Sequence, residues 1–259
     1  MRGVRARVLA EGKHTLDRFS DEALVLSTID FGEADRIVTL FTRTHGRLSA
    51  FAAGARKSKR RFAGALEAGT HLTAWLVTGS GDTCRLDKVD VIRSFHRLRD
   101  DLARIARAMY CLELCREISR DHQPNEPLFD ALAQYLGLLE EKKAGPTSLI
   151  KFELDALQYT GFMPRFAPCA LCGQPTGDRP RFDPEHGGVV CASCSVRVPY
   201  GIPARPEVVD ALARLQAGER TPMPAELRAR SRELLNLFIA HHLGRKLKSV
   251  EFMDQVGTD

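Results

Sequence analysis

Between Glu22 and Ser94 the apolar residues come in short β-rich runs broken by turn residues. Residues 23–29 form one run, ended by Asp30-Phe31-Gly32, and residues 37–42 form a second, closed by Thr44-His45-Gly46. A third occupies residues 47–53. Residues 72–78 and 83–94 are two more, separated by Gly79-Ser80-Gly81-Asp82, whose residues tolerate a hairpin turn. Five short strands within about 75 residues suit a small Greek-key barrel of the oligonucleotide-binding type, with an SH3-like barrel as the competing arrangement. Residues 1–20 have a thin apolar pattern around Arg2, Arg5, Arg7, Lys13 and Arg18, and read as a flexible extension.

After Phe95 the period changes to about 3.5. Leu98, Leu102, Ile105, Met109 and Leu112 fall on one stripe of a helix reaching Ser119, a stripe assigned to the core, with Arg99, Arg104, Arg107 and Glu113 off it. Asp121-His122-Gln123-Pro124-Asn125 breaks the pattern. Further helices fit residues 127–142, a segment capped by Gly145-Pro146-Thr147 and ending at Tyr159, residues 206–217, and residues 225–246. The last is amphipathic through Leu234, Leu235, Phe238, Ile239 and Leu243. The expected architecture is α+β and multidomain: an extension (1–20), a five-stranded barrel of the OB-fold type (21–96), and a C-terminal α-helical domain in two parts (97–165 and 200–259) around an inserted four-cysteine zinc module (166–199).

Composition supports a folded chain. Of 259 residues, 44% are apolar and 27% charged, which excludes disordered and fibrous classes. No run reaches the roughly 18 to 20 apolar residues of a membrane span, and the start lacks the apolar run of a secretory signal, so a cytoplasmic location without membrane attachment is expected. Seven cysteines are an odd number, which argues against a complete disulfide framework.

Charge is distributed unevenly. From Arg36 to Leu66 there is no acidic residue, while Arg36, Arg43, Arg47, Arg56, Lys57, Lys59, Arg60 and Arg61 contribute +8, leaving −3 for the rest of a net +5. A field concentrated in this way attracts a polyanion, and nucleic acid is the polyanion a cytosolic protein meets most often. A solvated basic loop is the plainer reading.

Cys169-Ala170-Leu171-Cys172 and Cys191-Ala192-Ser193-Cys194 are two C-x-x-C pairs with eighteen residues between them. Each pair can wrap one edge of a tetrahedron, and residues 182–190 supply a hairpin that returns the second pair to the first, so the spacing predicts a structural zinc ion, one per chain. The alternative, a redox dithiol, would want a βαβ context that neither pair has. Four thiolates leave no position for water or substrate, so such a metal folds the loop. His186 reads as a turn residue, and Cys84, Cys111 and Cys115 as small apolar groups.

No phosphate-cradling loop, nucleophile elbow, zinc-protease helix or dinucleotide fingerprint occurs. Asp100-Asp101 and Glu140-Glu141 sit beside helical stripes as a solvated face, and His241 and His242 point about 100° apart on a helix. The chain is therefore not expected to be an enzyme. A zinc-containing transcription regulator would need a recognition helix, and a metal-dependent nuclease a cluster of acids; neither stands out.

In order, these features resemble the RecO family of bacterial recombination mediators. The resemblance covers the chain from Asp21 onward and is carried by Glu22-Ala23-Leu24-Val25-Leu26, by the stretch from Gly32-Glu33-Ala34-Asp35-Arg36 through Thr42 with His45-Gly46, and by Gly54-Ala55-Arg56-Lys57-Ser58-Lys59. Gly161-Phe162-Met163-Pro164 leading into the first cysteine pair, and Leu243-Gly244-Arg245-Lys246-Leu247-Lys248-Ser249, complete it. The extension before Glu22 departs from the family pattern. What the resemblance implies is a nucleoid-associated, non-enzymatic protein of DNA repair and recombination. It would bind single- and double-stranded DNA without sequence preference, anneal complementary strands and, with RecR, help load RecA onto DNA coated by single-stranded DNA-binding protein. The acidic tail of that coating protein would bind the helical part, on a rim carrying Arg104, Arg107 and Arg116 or on one carrying Arg245, Lys246 and Lys248. Physically, residues 56–61 on a mobile arm, with Arg36, Arg43 and Arg47 on the barrel, are suited to replace counterions along phosphates. Phe31, Phe41, Phe51 and Phe62 are candidates for base stacking, although Phe41 and Phe51 are assigned to the core.

Overall fold

The protein is described by a computed structural model covering residues 17–58, 60–79, 81–219 and 223–257. Most of the N-terminal extension and Lys59 lie outside the described residues.

Strand β1 (Arg18–Phe31) has fourteen residues, enough to pair along its first half with β4 (His71–Val77) and along its second with β2 (Asp35–Thr42). β3 (Gly46–Ala52) continues antiparallel from β2, and β5 (Thr83–Arg93) runs antiparallel to β4 and parallel to β3. The circuit β1-β2-β3-β5-β4 is a closed barrel, which leaves no open sheet edge. The strand pattern read from the sequence holds within a few residues, with one correction: Arg18, Phe19 and Ser20 pair with Val77, Leu76 and Trp75, so the barrel starts before residue 21.

An irregularity between Val25 and Ser27 shifts the register of β1. Ala23 and Val25 point into the barrel, whereas Leu24 and Leu26 join Phe41 on its outer face and are buried by the helices. Barrel and helical body thus share a core.

The basic segment between β3 and β4 is not a free arm. It runs as successive turns, and Phe62 and Leu66, 2% and 1% exposed, plug the barrel core with Ala55 and Ala65. The Thr28 hydroxyl donates to the Leu66 carbonyl at 2.6 Å, tying the plug to β1. Charge density made this segment look solvated; its apolar residues at spacings of three and four fix it to the barrel.

The helical body consists of α1 (Leu102–Ile118), α2 (Glu126–Glu140), α3 (Ser148–Tyr159), α4 (Pro206–Gln216), α5 (Ala225–Leu243) and α6 (Lys248–Val256). Here the predicted stripe fails. A short 3₁₀ turn takes His96–Asp100, and Asp101 then caps α1 by accepting from the Arg104 N–H at 2.9 Å, which restarts the helical phase. The buried face of α1 is Ala106, Tyr110, Cys111, Leu114, Cys115 and Ile118, while Leu102 and Met109 are 64% and 49% exposed. Of the stripe only Leu98 and Leu112 are core.

α5 ends at Gly244 in the left-handed region (φ +67°), before Lys246, and α6 follows unpredicted. The N-terminus of α6 is capped from α1: the Glu113 carboxylate accepts from the backbone N–H groups of Lys248 and Ser249 at 3.1 and 2.8 Å and from the Ser249 hydroxyl at 2.6 Å. Burial opposes that charge, but the bonds from Ser249 and Lys248 outweigh it and hold the Glu113 carboxyl below its ordinary value. Glu140 and Glu141 are likewise not a plain solvated face, because Arg93 of β5 donates to them at 2.8 and 3.0 Å.

Backbone contacts lock the two modules. Arg47 N–H reaches Arg120 O at 3.4 Å, and His122 N–H donates to Arg47 O at 3.1 Å. Beside them Gly46 (φ +71°) passes so close to the α1–α2 loop that a Cβ there would stand 2.3 Å from the Gln123 carbonyl oxygen. No helix among the described residues is long and apolar enough to cross a membrane.

Candidate metal centre and nucleic-acid interface

The four cysteines come together as spacing predicts. β6 (Arg181–Asp183) and β7 (Gly188–Val190) form the hairpin that carries the second pair back to the first, with β8 (Ile202–Pro203) on the outer side of β6. The Sγ atoms of Cys169, Cys172, Cys191 and Cys194 all lie within 4.8 Å of one another, and those of Cys172 and Cys191 are 3.7 Å apart. A tetrahedron with metal–sulfur bonds of about 2.3 Å has edges of about 3.8 Å, so the quartet fits a metal ion with all positions filled by sulfur. Burial opposes the Cys169 thiolate, but the backbone N–H groups of Cys191, Cys172 and Leu171 outweigh it and bring its pKa down to about 6. His186 stays in the turn, its Nδ1 bonded to the Asp183 carboxylate. Cys84, Cys111 and Cys115 are buried free thiols.

The eight cations of residues 36–61 separate into groups. Arg43 donates to Glu22 at 2.9 Å, meets Asp130 of α2 at 2.8 Å and lies 4.6 Å over the Phe129 ring. This guanidinium holds the Glu22 carboxyl below its ordinary value against burial, with His71 adding to it. Arg47 pairs with Asp121 at 2.7 Å and also donates to the Arg116 carbonyl. Both arginines thus join the barrel to the helical body. Arg36 contacts Asp30 at 3.1 Å and Glu67 at 3.6 Å.

The remaining cations point elsewhere. Arg56 bonds the Gly32 carbonyl at 3.0 Å and approaches Asp30 at 3.4 Å, holding its segment to the β1–β2 turn. Arg61 donates to the Ala53 carbonyl and covers the Phe62 ring at 5.0 Å. Lys57 and Arg60 are exposed, and no ion pair engages either among the described residues.

Two of the candidate stacking residues, Phe31 and Phe51, form a pair near Arg56, and the assignment of Phe51 to the core is corrected. Phe51 is half-buried on the outer face of β3, not in the core, and packs edge-on against Phe31 at 5.9 Å, with Phe31 53% exposed. Ile29 and Ile37 pair across β1 and β2, and Ile37 pairs with Phe51, so this face continues the apolar surface that Phe41 buries under the helices. The strand alternation could have shown it, since Phe41 and Phe51 lie on the outward phase. Phe41 is buried only because α2 covers it, its ring 5.8 Å from Phe129.

On the helical body the two candidate rims meet. Arg116 and Arg245 both pair with Glu117, at 3.0 and 2.6 Å, and together hold its carboxyl below the ordinary value against burial. Glu117 borders a cavity of about 190 Å³ lined also by Arg120, Leu157, Phe162, Ile239 and His242. Arg104 is turned toward the start of α1, donating to the Arg97 carbonyl at 3.1 Å, and Arg107 is half-buried. Lys246 and Lys248 are exposed, Lys248 at the capped start of α6.

Comparison with known proteins agrees on one family. Residues 16–95 match the model for "Recombination protein O N terminal" and residues 99–251 that for "Recombination protein O C terminal". The chain is 57% identical over 244 residues to the DNA repair protein RecO of Myxococcus xanthus, covering 94% of this chain and all of that one. It is 47% identical over 249 residues to the RecO of Anaeromyxobacter dehalogenans strain 2CP-C, covering 93% and 98%. To the RecO of Geobacter sulfurreducens it is 37% identical over 239 residues, covering 91% and 97%.

Proposed function

This chain belongs to the RecO family of DNA repair proteins, and from that premise we propose that it is a recombination mediator. In this reading it grips single- and double-stranded DNA through phosphates, anneals complementary strands and, with RecR, helps load RecA onto DNA coated by single-stranded DNA-binding protein. It breaks no covalent bond. The observation that carries the reading is the juxtaposition of Lys57 and Arg60, free of ion pairs among the described residues, with Arg56, Arg61 and the exposed Phe31–Phe51 face.

Unpaired cations release counterions from phosphate without reading bases, and aromatic faces stack on any base, which gives affinity without sequence preference. Two strands repel, and a cationic surface that leaves base edges free lowers that barrier to pairing. Arg36, Arg43 and Arg47 contribute mainly by shaping the module, since their charges already face carboxylates.

The cysteine quartet holds one zinc ion per chain, which supplies fold and no chemistry. The cavity beside Glu117, with apolar walls from Leu157, Phe162 and Ile239 and a cation at Arg120, suits an acidic peptide with an apolar end such as the coating protein's tail, provided Arg116 and Arg245 turn from Glu117 to the peptide.

The test is strand annealing and DNA binding, with and without the coating protein, for the natural chain and for a variant with Arg56, Lys57, Lys59, Arg60 and Arg61 all changed to alanine. The natural chain should bind single strands with a slope of log K against log salt of about −3.5, from about five phosphate contacts at roughly 0.7 each. The variant should fold, keep its zinc and lose most binding and annealing. Unchanged annealing by a folded variant would reject this segment as the main contact.

A further inference from the structure

We infer that the barrel carries a second site for single-stranded nucleic acid, a base-stacking groove centred on Trp75; this rests on the nucleic-acid reading above. Along β4 the residues Leu72, Ala74 and Leu76 point into the barrel core, so Trp75 faces outward. Its neighbours across the sheet are Ser20 on β1 and Lys88 on β5. A groove of about 400 Å³ opens here, bordered by Arg18, Ser20, Trp75, Asp87 and Lys88. Ser20 and Phe31 lie near opposite ends of β1, so this groove is separate from the Phe31–Phe51 face.

The Lys88 ammonium sits 4.4 Å from the Trp75 ring centre, over the face where a flat π system would lie. Among the described residues Lys88 is otherwise held only by Asp90 at 2.8 Å, and both side chains are 55% exposed. An exposed pair of this kind contributes little, so the ammonium is free to move from the ring to a phosphate as a base takes its place. Asp87 is neutralised by Arg85 at 2.8 Å. Arg18 is exposed with no ion pair among the described residues, and it adds an uncompensated positive charge to the groove. An aromatic face between two cations matches the base-and-phosphate repeat of a single strand. Pairing two strands requires that both be held, and a second platform on one small barrel meets that need.

Trp75 is the only tryptophan in the chain, so intrinsic tryptophan emission reports this groove alone. The experiment titrates the full chain with fluorescently labelled oligothymidylate, reading anisotropy and tryptophan emission together, and repeats it with heparin, a polyanion without bases. The expected result is that emission is quenched in step with bound oligonucleotide and is unaffected by bound heparin. Trp75→Ala should weaken oligothymidylate binding about five- to 150-fold, the equivalent of one stacked base at about 1–3 kcal/mol, and Trp75→Phe should restore most of it. Binding by anisotropy with unchanged emission, or equal quenching by heparin, overturns the groove while leaving the mediator reading intact. No binding by anisotropy overturns that reading itself.

Discussion

The segment carrying residues 56–61 and the junction between barrel and helices draw on the same cationic stretch of sequence but use their charges in opposite ways. At the junction Arg43 and Arg47 spend theirs on Glu22, Asp130 and Asp121, and Arg43 lies against the Phe129 ring. In the segment the apolar side chains Phe62 and Leu66 do the anchoring, which leaves Lys57 and Arg60 facing solvent. The difference teaches that a count of positive residues overstates the surface field; what a polyanion meets is the charge left over after internal pairing.

Breaking the junction should give the largest effect on stability. Phe129→Ala removes a fully buried ring that meets Phe41 and His71, and is expected to cost about 3–5 kcal/mol in urea unfolding. The DNA salt slope of the folded protein should stay as it was. A loss of DNA affinity greater than the loss of folded protein would show that the two regions are not separate.

Arg43→Ala is expected to cost less, about 1–3 kcal/mol, because Glu22 keeps its 2.7 Å contact with His71 and Asp130 is already open to solvent. A DNA affinity reduced as much as by Lys57→Ala would assign Arg43 to the phosphate surface after all.

Acid should act on the junction and spare the segment. Glu22, Asp121 and Glu113 have carboxyls held below their ordinary values when folded: Arg43 is the main cause for Glu22 and Arg47 for Asp121, while the bonds from Ser249 outweigh burial for Glu113. Groups with lowered folded values add stability that is fully present above the ordinary carboxylate range and is lost as pH falls through the lowered values. The melting temperature should be flat from neutrality to about pH 5 and fall below about pH 4, by about 2–4 °C for each kcal/mol lost. A decline that begins well above pH 5 would show that these carboxylates are not what acid acts on first.

Lys57→Ala sharpens the comparison with the smallest change. Stability should stay within about 0.5 kcal/mol, while the salt slope for single strands becomes shallower by about 0.7.

The barrel was legible in the sequence because its strands alternate and end at turn residues, and the cysteine cluster because two C-x-x-C pairs joined by a hairpin bring four thiols together. Helix α1 was misjudged because Leu98 lies in a separate turn and Asp101 begins a new phase, so one regular stripe spanned two elements. Helix α6 was missed because its cap, Glu113, lies 135 residues before Lys248, beyond any local signal. The sorting of the cations was hidden for the same reason: the partners of Arg43 and Arg47 lie on α2 and in the α1–α2 loop, brought near only by the shared core of Leu24, Leu26 and Phe41. Phe51 was placed inside by its residue type, when its position on β3 put it outside.

One consequence follows from Gly46. With the β2–β3 turn seated against the peptide at Gln123 and no clearance for even a methyl group, the joint has no room to swivel. A force applied to the barrel is therefore delivered as torque to the helices, and the two halves act as the arms of a single lever.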